Sequence, residues 1–202
     1  AMTRFDASAA KAKPGVIDVI DVSGKPWGGG YAVLAKTTWH AFEALDAVTV
    51  EWAKGPGPTA TAAITGALEA ALGASGYAFT NDGDAEAALT QAPAAKRIDA
   101  VYSAPPLVHA CMEPMNATAL YQDGRFTVWT GTQVPTLIQA AADEFGVAAD
   151  QVTVHVDYLG GGFGRRLEVD YAVLAMRAAR ARPGTPVKLT FPRAEDMTHD
   201  MV

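Results

Sequence analysis

The chain has 202 residues, 16 of them Lys or Arg against 22 Asp or Glu, and its net charge of −6 argues against a dedicated nucleic-acid binder, which carries a basic stripe. A single cysteine, Cys111, excludes an intramolecular disulfide framework and a zinc site built from several thiolates. No apolar run approaches the ~18 residues of a membrane span, and about a fifth of the residues are alanine, which adds helix propensity more than core volume.

Residues 1–12 hold no apolar run of the kind a secretory leader carries. Val16–Val22 alternates as a strand does, and a glycine-rich stretch at 27–30 leads into a short apolar strand at Tyr31–Ala35. Trp39, Phe42 and Leu45 recur by threes in a helix over 37–47 with Thr38 as its expected N-cap, followed by a β-rich run at Val48–Trp52. Gly55-Pro56-Gly57-Pro58 is the sharpest break in the chain and marks a first boundary.

Ile64, Leu68, Ala71 and Leu72 then predict a helix ending at Gly73, and Asn81-Asp82-Gly83-Asp84 a turn before a helix over 85–91. That turn is not an EF-hand, because the bidentate Glu at loop position 12 is missing. Pro93 marks a second boundary ahead of a strand expected at Arg97–Tyr102.

The remaining half is better specified. Asp123-Gly124 sits between two β-rich runs, 118–121 and 125–129, as in a hairpin. Pro135 opens a helix carrying Leu137, Ile138, Ala141 and Phe145, closed by Gly146. A strand with Val152, Val154 and Val156 runs into Gly160-Gly161-Gly162-Phe163-Gly164, then a helix with Leu167, Tyr171, Leu174 and Ala178 on one face. Residues 187–202 read as a strand and a charged segment without a closing cap, so a piece of a longer protein is the expectation.

The strand–glycine loop–helix unit at 151–182 is the sharpest chemical feature. Glycines let the backbone approach a ligand, and helix N-terminal amides carry roughly +0.5 of partial charge, which suits an anion; a tight turn without a ligand is the alternative. It is no P-loop, because Arg165-Arg166 follow Gly164, and no Rossmann fingerprint, because Leu167 stands where the third Gly belongs. The planar donors of Arg165 and Arg166 strengthen the anion reading, although a surface pair with Glu168 or Asp170 fits Arg166 better. Phe163 between glycines needs something to pack on, either core or a planar cofactor. In His109-Ala-Cys-Met-Glu-Pro114, Cys111 beside His109 is either a nucleophile or a small buried hydrophobe. The four histidines are scattered, so no protein-bound metal is assigned. Gln133, ahead of Pro135, reads as a cap or a solvated side chain.

Taken together, His109-Ala-x-Met-Glu-Pro-x-Asn116, Val128-Trp129-x-x-Thr132-Gln133 and Gly160-Gly-Gly-Phe-Gly-Arg-Arg-Leu-Glu168 resemble the molybdenum-binding large subunit of the xanthine dehydrogenase/aldehyde oxidase family. The Arg-Arg form, with Arg193-x-Glu-Asp196 and His199-Asp200 downstream, is similar to the isoquinoline 1-oxidoreductase β-subunit and membrane-bound aldehyde dehydrogenase branch. The resemblance implies an α+β fold of mixed sheets with packed helices. Residues 1–54 would be part of a hammerhead-like domain, 55–92 a linker with an Ala-rich helical segment, and 93–202 the start of a molybdopterin-binding domain.

It implies a molybdenum-pterin cofactor, in its dinucleotide form, in the full enzyme and none in the isolated chain. Gln133 would hydrogen-bond an oxo ligand of the metal; Gly161, Gly162, Phe163 and Gly164 would line the pyranopterin; Arg165 would help with its phosphate. The implied reaction oxidises aldehydes or hydroxylates N-heterocycles with oxygen from water. Its catalytic carboxylate lies in a part of the subunit not seen here, so the fragment alone would be inactive. Glu168 falls one step out of register with the family's second active-site Glu and is not assigned that role. Implied partners are the rest of the large subunit, an iron–sulfur subunit and a cytochrome c subunit, with a bacterial periplasmic or membrane-associated location. The reading kept beside this one is a free-standing anion or nucleotide-binding module on the Gly160–Arg166 loop.

Overall fold

The computed structural model describes residues 2–55, 57, 60–80 and 82–200. They divide into two compact units, one made of residues 1–53 together with 106–202 and the other of residues 54–105. This differs from the three consecutive segments expected: the N-terminal stretch is not separate but shares a unit with the C-terminal half.

In the first unit, β1 (Met2–Asp6) leads through the short α1 (Ser8–Lys11) to β2 (Val16–Asp21) and β3 (Tyr31–Ala35), then α2 (Thr38–Leu45) and β4 (Thr49–Trp52). β2 and β3 form an antiparallel pair, and β1 pairs with β4 across more than 40 residues of sequence. The sequence Met-Thr-Arg-Phe-Asp lacks a clear period, and its strand exists because β4 offers a free edge. The N-cap of α2 is Thr37 rather than Thr38: its Oγ1 accepts from the His40 amide at 3.2 Å. Ala7, Ala10, Val19 and Ala44 make a small core, with Val16, Tyr31 and Val33 packed against it.

The second unit contains α3 (Thr61–Ala71) and α4 (Ala85–Gln91), the latter capped by Asp84 accepting from Ala87 N at 2.8 Å. Neither helix buries a residue. Pro56 and Pro58 of the expected break, and Asn81 of the expected turn, lie outside the described residues. The strand expected at Arg97–Tyr102 does not form, since no described strand pairs with it and Ile98, Val101 and Tyr102 are exposed.

Returning to the first unit, β5 (Asn116–Gln122) and β6 (Arg125–Thr130) form the hairpin, with Asp123 at φ 51° and Gly124 at φ 75°. Two consecutive left-handed residues give the turn whose twist matches the strands. α5 (Pro135–Ala141) starts at its proline and, after a tighter turn, ends at Gly146 with φ 64°. β7 (Val152–Val156) runs parallel to β6, α6 (Asp170–Arg180) follows the glycine loop, and β8 (Val187–Thr190) and α7 (Arg193–Thr198) come after it.

The sheet order is β7-β6-β5-β8. α6 is almost wholly buried, and Ala172, Ala175, Ala178 and Ala179 let it lie close on the sheet. Phe126, 1% exposed, packs between Tyr121 and Phe145 at ring separations of 4.7 and 5.0 Å, burial worth about 2–3 kcal/mol. Arg177 ties the N-terminal stretch to this core, donating to Val22 O at 2.8 Å while paired with Glu144.

Candidate functional site

The three motifs singled out in the sequence converge on one side chain. Arg166 is fully buried, and its guanidinium donates from Nε to Gly161 O at 2.9 Å and from Nη1 to Gly131 O at 3.1 Å. Its Nη2 donates to Glu113 O at 3.2 Å and to Glu113 Oε2 at 2.8 Å. The fork thus joins the glycine loop, the Thr-Gly-Thr-Gln loop and the His-Ala-Cys-Met-Glu-Pro loop. Its own carbonyl accepts from Gln133 N at 3.1 Å and Thr132 Oγ1 at 3.3 Å. The expectation that Arg166 is a surface residue paired with Glu168 or Asp170 is therefore corrected. Burial is tolerated because a planar ion with five donors meets four acceptors.

Glu113 completes the knot. Besides Arg166, its carboxylate accepts from Gly160 N and Asn116 Nδ2, both at 2.8 Å. Partial burial works to raise its pKa, but these hydrogen bonds and the Arg166 charge hold the carboxyl below the usual range. Gly160 must be glycine, since a Cβ there would run into the Glu113 side chain.

Arg165 does not offer a free guanidinium either. It is 2% exposed and grips Asp170 through two bonds of 2.8 and 2.9 Å, with Nε 3.5 Å from Asp200 Oδ1. In this chain the guanidinium expected at a cofactor phosphate is engaged in a buried pair with Asp170. Asp170 also meets His199 Nε2 at 3.2 Å. Burial alone would raise the Asp170 carboxyl, yet hydrogen bonds from His199 and Arg165 bring it to about 2. The hydrogen bond to Asp170, with that to Glu195, pushes His199 up to about 9.

The same geometry answers the anion-cradle idea. The glycines do not sit at the N-terminus of α6: a short tight turn over Arg165–Leu167 and then Glu168 and Val169 intervene. The first turn of α6 holds Asp170, itself an anion.

What the loop does present is Phe163 and Gln133. Phe163 is 77% exposed with φ 54°, left-handed backbone that an L-residue with a Cβ enters at a cost of roughly 1–2 kcal/mol. It packs on no core. Gln133 caps no helix, since the N-cap of α5 is Val134. Its Oε1 accepts from Gly164 N at 3.1 Å. An amide N–H can only donate, so this bond fixes the carboxamide orientation and leaves the Nε2 hydrogens without an acceptor among the described residues. A Cβ on Gly162 would come within 2.8 Å of Gln133 Oε1, so the bare glycine makes room for that arrangement. Together these residues form a shallow cradle with an exposed ring, free donors and glycine backbone, which fits a planar ligand bearing a strong acceptor. Cys111 lies beneath it, 1% exposed, its Sγ 3.5 Å from Gly162 O, with burial pushing the thiol pKa up. That is the small buried hydrophobe, not the nucleophile. Among the described residues no three His, Cys, Asp or Glu side chains are grouped as metal ligands.

Comparison with known proteins gives a consistent picture. Residues 72–201 match the family described as molybdopterin cofactor-binding domain. The chain is 34% identical over 178 residues to a membrane-bound aldehyde dehydrogenase (pyrroloquinoline-quinone) of Gluconacetobacter polyoxogenes, covering 85% of this chain and 22% of that protein. It is 43% identical over 101 residues to isoquinoline 1-oxidoreductase subunit beta of Brevundimonas diminuta, covering 49% of this chain and 12% of that one. Among solved structures, quinoline 2-oxidoreductase from Pseudomonas putida 86 superposes with a TM-score of 0.66 at 22% identity, over 96% of this chain and 30% of that chain, a likeness of fold. The chain therefore spans about a fifth of the length of the first of these relatives.

Proposed function

Because the chain belongs to the molybdopterin cofactor-binding domain family, we propose that it supplies one wall of the cofactor site of a molybdenum hydroxylase, an oxidoreductase acting on aldehydes or N-heterocycles with oxygen taken from water. The observation that carries this reading is the Gly164–Gln133 bond, which fixes the carboxamide at the glycine loop through its oxygen and leaves the Nε2 donors for a ligand.

When bound, the molybdenum-pterin group supplies the two-electron redox chemistry and the site of oxygen transfer. The chain's own residues do the holding. Gln133 Nε2 would donate to an acceptor of the bound group, the backbone of Gly161, Gly162 and Gly164 would allow its close approach, and Phe163 would offer its ring face to a planar heterocycle. Arg166 and Glu113 hold the three loops in register and touch no ligand. The remaining walls, the catalytic carboxylate and the iron–sulfur and cytochrome c partners belong to polypeptide outside these residues, in a bacterial periplasmic or membrane-associated enzyme. The free-standing nucleotide module finds no support, since both arginines of its loop are buried and paired.

In the holoenzyme carrying this chain, Gln133→Ala and Phe163→Ala are expected to lower bound molybdenum and turnover. Wild-type cofactor content and turnover in both variants would refute the cradle. The 202-residue chain by itself is expected to retain no molybdenum; stoichiometric metal in the purified polypeptide would show that the wall is sufficient and overturn the partial-site reading.

A further inference from the structure

His109 takes no part in the cradle as described, yet it is held with unusual care. The buried carboxylate of Asp200, 3% exposed, accepts from the His109 backbone N–H at 2.6 Å and meets its ring Nδ1 at 2.8 Å. Two contacts from one carboxylate to one residue fix both the backbone and the ring plane. A carboxylate only accepts, so Nδ1 carries the hydrogen and, in the neutral ring, the lone pair lies on Nε2. That atom has no hydrogen-bond partner among the described residues, and the side chain is 27% exposed.

Its position gives the lone pair a use. Nε2 lies 3.3 Å from the point a Cβ on Gly164 would occupy, and Gly164 has φ 104°, a conformation that favours glycine. Gly164 is also the residue whose amide orients Gln133. One glycine is thus flanked by two side chains whose atoms without hydrogen-bond partners among the described residues are complementary, a carboxamide donor and an imidazole acceptor. Ala110, next to His109, sits at φ 45°. The backbone is therefore strained on this loop as it is at Phe163, the pattern expected where a structure aims side chains at a ligand.

We propose that His109 is a further ligand contact of the glycine loop, accepting through Nε2 a hydrogen bond from an N–H group of the bound pterin heterocycle, with Asp200 as the positioning residue that fixes its ring. The proposal rests on the cofactor-wall reading above. Arg165, whose Nε lies 3.5 Å from the same Asp200 oxygen, adds an opposite charge beside that carboxylate.

The test uses the holoenzyme carrying this chain, with bound molybdenum and released pterin measured per subunit and the rate of cofactor loss followed on dilution. His109→Phe removes the acceptor and is expected to speed cofactor loss about tenfold, the factor that ~1.4 kcal/mol makes. His109→Gln places an amide oxygen near the Nε2 position and is expected to restore most of the retention. Histidine labelled with 15N reports the ring tautomer, which shifts from the Nδ1–H form in Asp200→Leu. Normal retention in His109→Phe, while Gln133→Ala loses the cofactor, would overturn the His109 contact and leave the cradle standing. Equal losses in His109→Phe and His109→Gln would make His109 scaffold and also overturn it. Normal retention in every variant, Gln133→Ala included, would remove the cradle itself and the His109 contact with it.

Discussion

Replacing Arg166 by Met keeps the length of the side chain and removes every donor it carries. Gly161 O then loses its guanidinium partner, while Gly131 O keeps the Tyr171 hydroxyl at 2.8 Å. The Glu113 carboxylate keeps Gly160 N and Asn116 Nδ2, and its side chain is 38% exposed, so water reaches it. Breaking a buried pair by removing one partner costs about 3–5 kcal/mol, and these surviving bonds place Arg166→Met near the lower end, about 3–4 kcal/mol. With a slope of about 2 kcal/mol per molar urea, the midpoint followed by tryptophan fluorescence should fall by roughly 1.5–2 M. Arg166→Lys should recover only a minor part, because an ammonium cannot address carbonyls in three directions at the spacing of a planar fork. A loss below about 1 kcal/mol, or a Lys variant as stable as wild type, would refute the idea that this guanidinium holds the loops together.

Three further outcomes are expected. The Asp170–His199 pair should confine stability to a pH window. Asp170, depressed from 3.8 to about 2, contributes fully above 3.8 and loses its contribution as pH falls through about 2. His199, raised from 6.5 to about 9, contributes fully below 6.5 and loses its contribution as pH rises through about 9. Asp170→Asn should flatten both limbs of a plot of urea midpoint against pH, and unchanged limbs would contradict the pairing. Phe163→Gly should raise the melting temperature by a few degrees, because relief of roughly 1–2 kcal/mol of left-handed strain exceeds glycine's extra chain entropy of about 0.5–1 kcal/mol, while lowering cofactor retention in the holoenzyme; a lowered melting temperature would refute the strain. Cys111 should react with a thiol reagent only as fast as the protein opens, and rapid labelling of the folded chain would contradict its burial.

Much of the architecture was legible from local chemistry. Asp123-Gly124 demanded a hairpin because both positions need left-handed backbone, and Pro135 and Gly146 bracketed their helix for equally local reasons. Apart from the N-cap of α2, which falls on Thr37 one residue before the Thr38 expected, the failures are non-local. Met2–Asp6 becomes a strand only because Thr49–Trp52 lies beside it. Arg97–Tyr102 has strand composition and no described strand to pair with. Adjacent arginines after a glycine loop read as solvent-facing or anion-binding, since burying them takes Glu113 and Asp170. Of these, Asp170 was close enough to weigh, but Glu113 lies 53 residues away. The contribution of Asp200 to His109 spans 91 residues, and its sole trace in the sequence was the His199-Asp200 pair downstream of the motifs. Gln133 carries no local signal of function; only the family resemblance points to it, and the Gly164 amide gives a physical reason for its orientation.

The shared guanidinium of Arg166 also governs how the site moves. Loops from residues 113, 131 and 161 cannot peel away one at a time without stranding a bond that another loop depends on. Opening should be cooperative, a single foldon in place of three fraying segments. The amides of Glu113, bonded to Gly160 O, of Gln133, bonded to Arg166 O, and of Asp157, bonded to Thr130 O, should then exchange their hydrogens with solvent at one common opening free energy. A wall that opens as one piece admits or releases a ligand as one event.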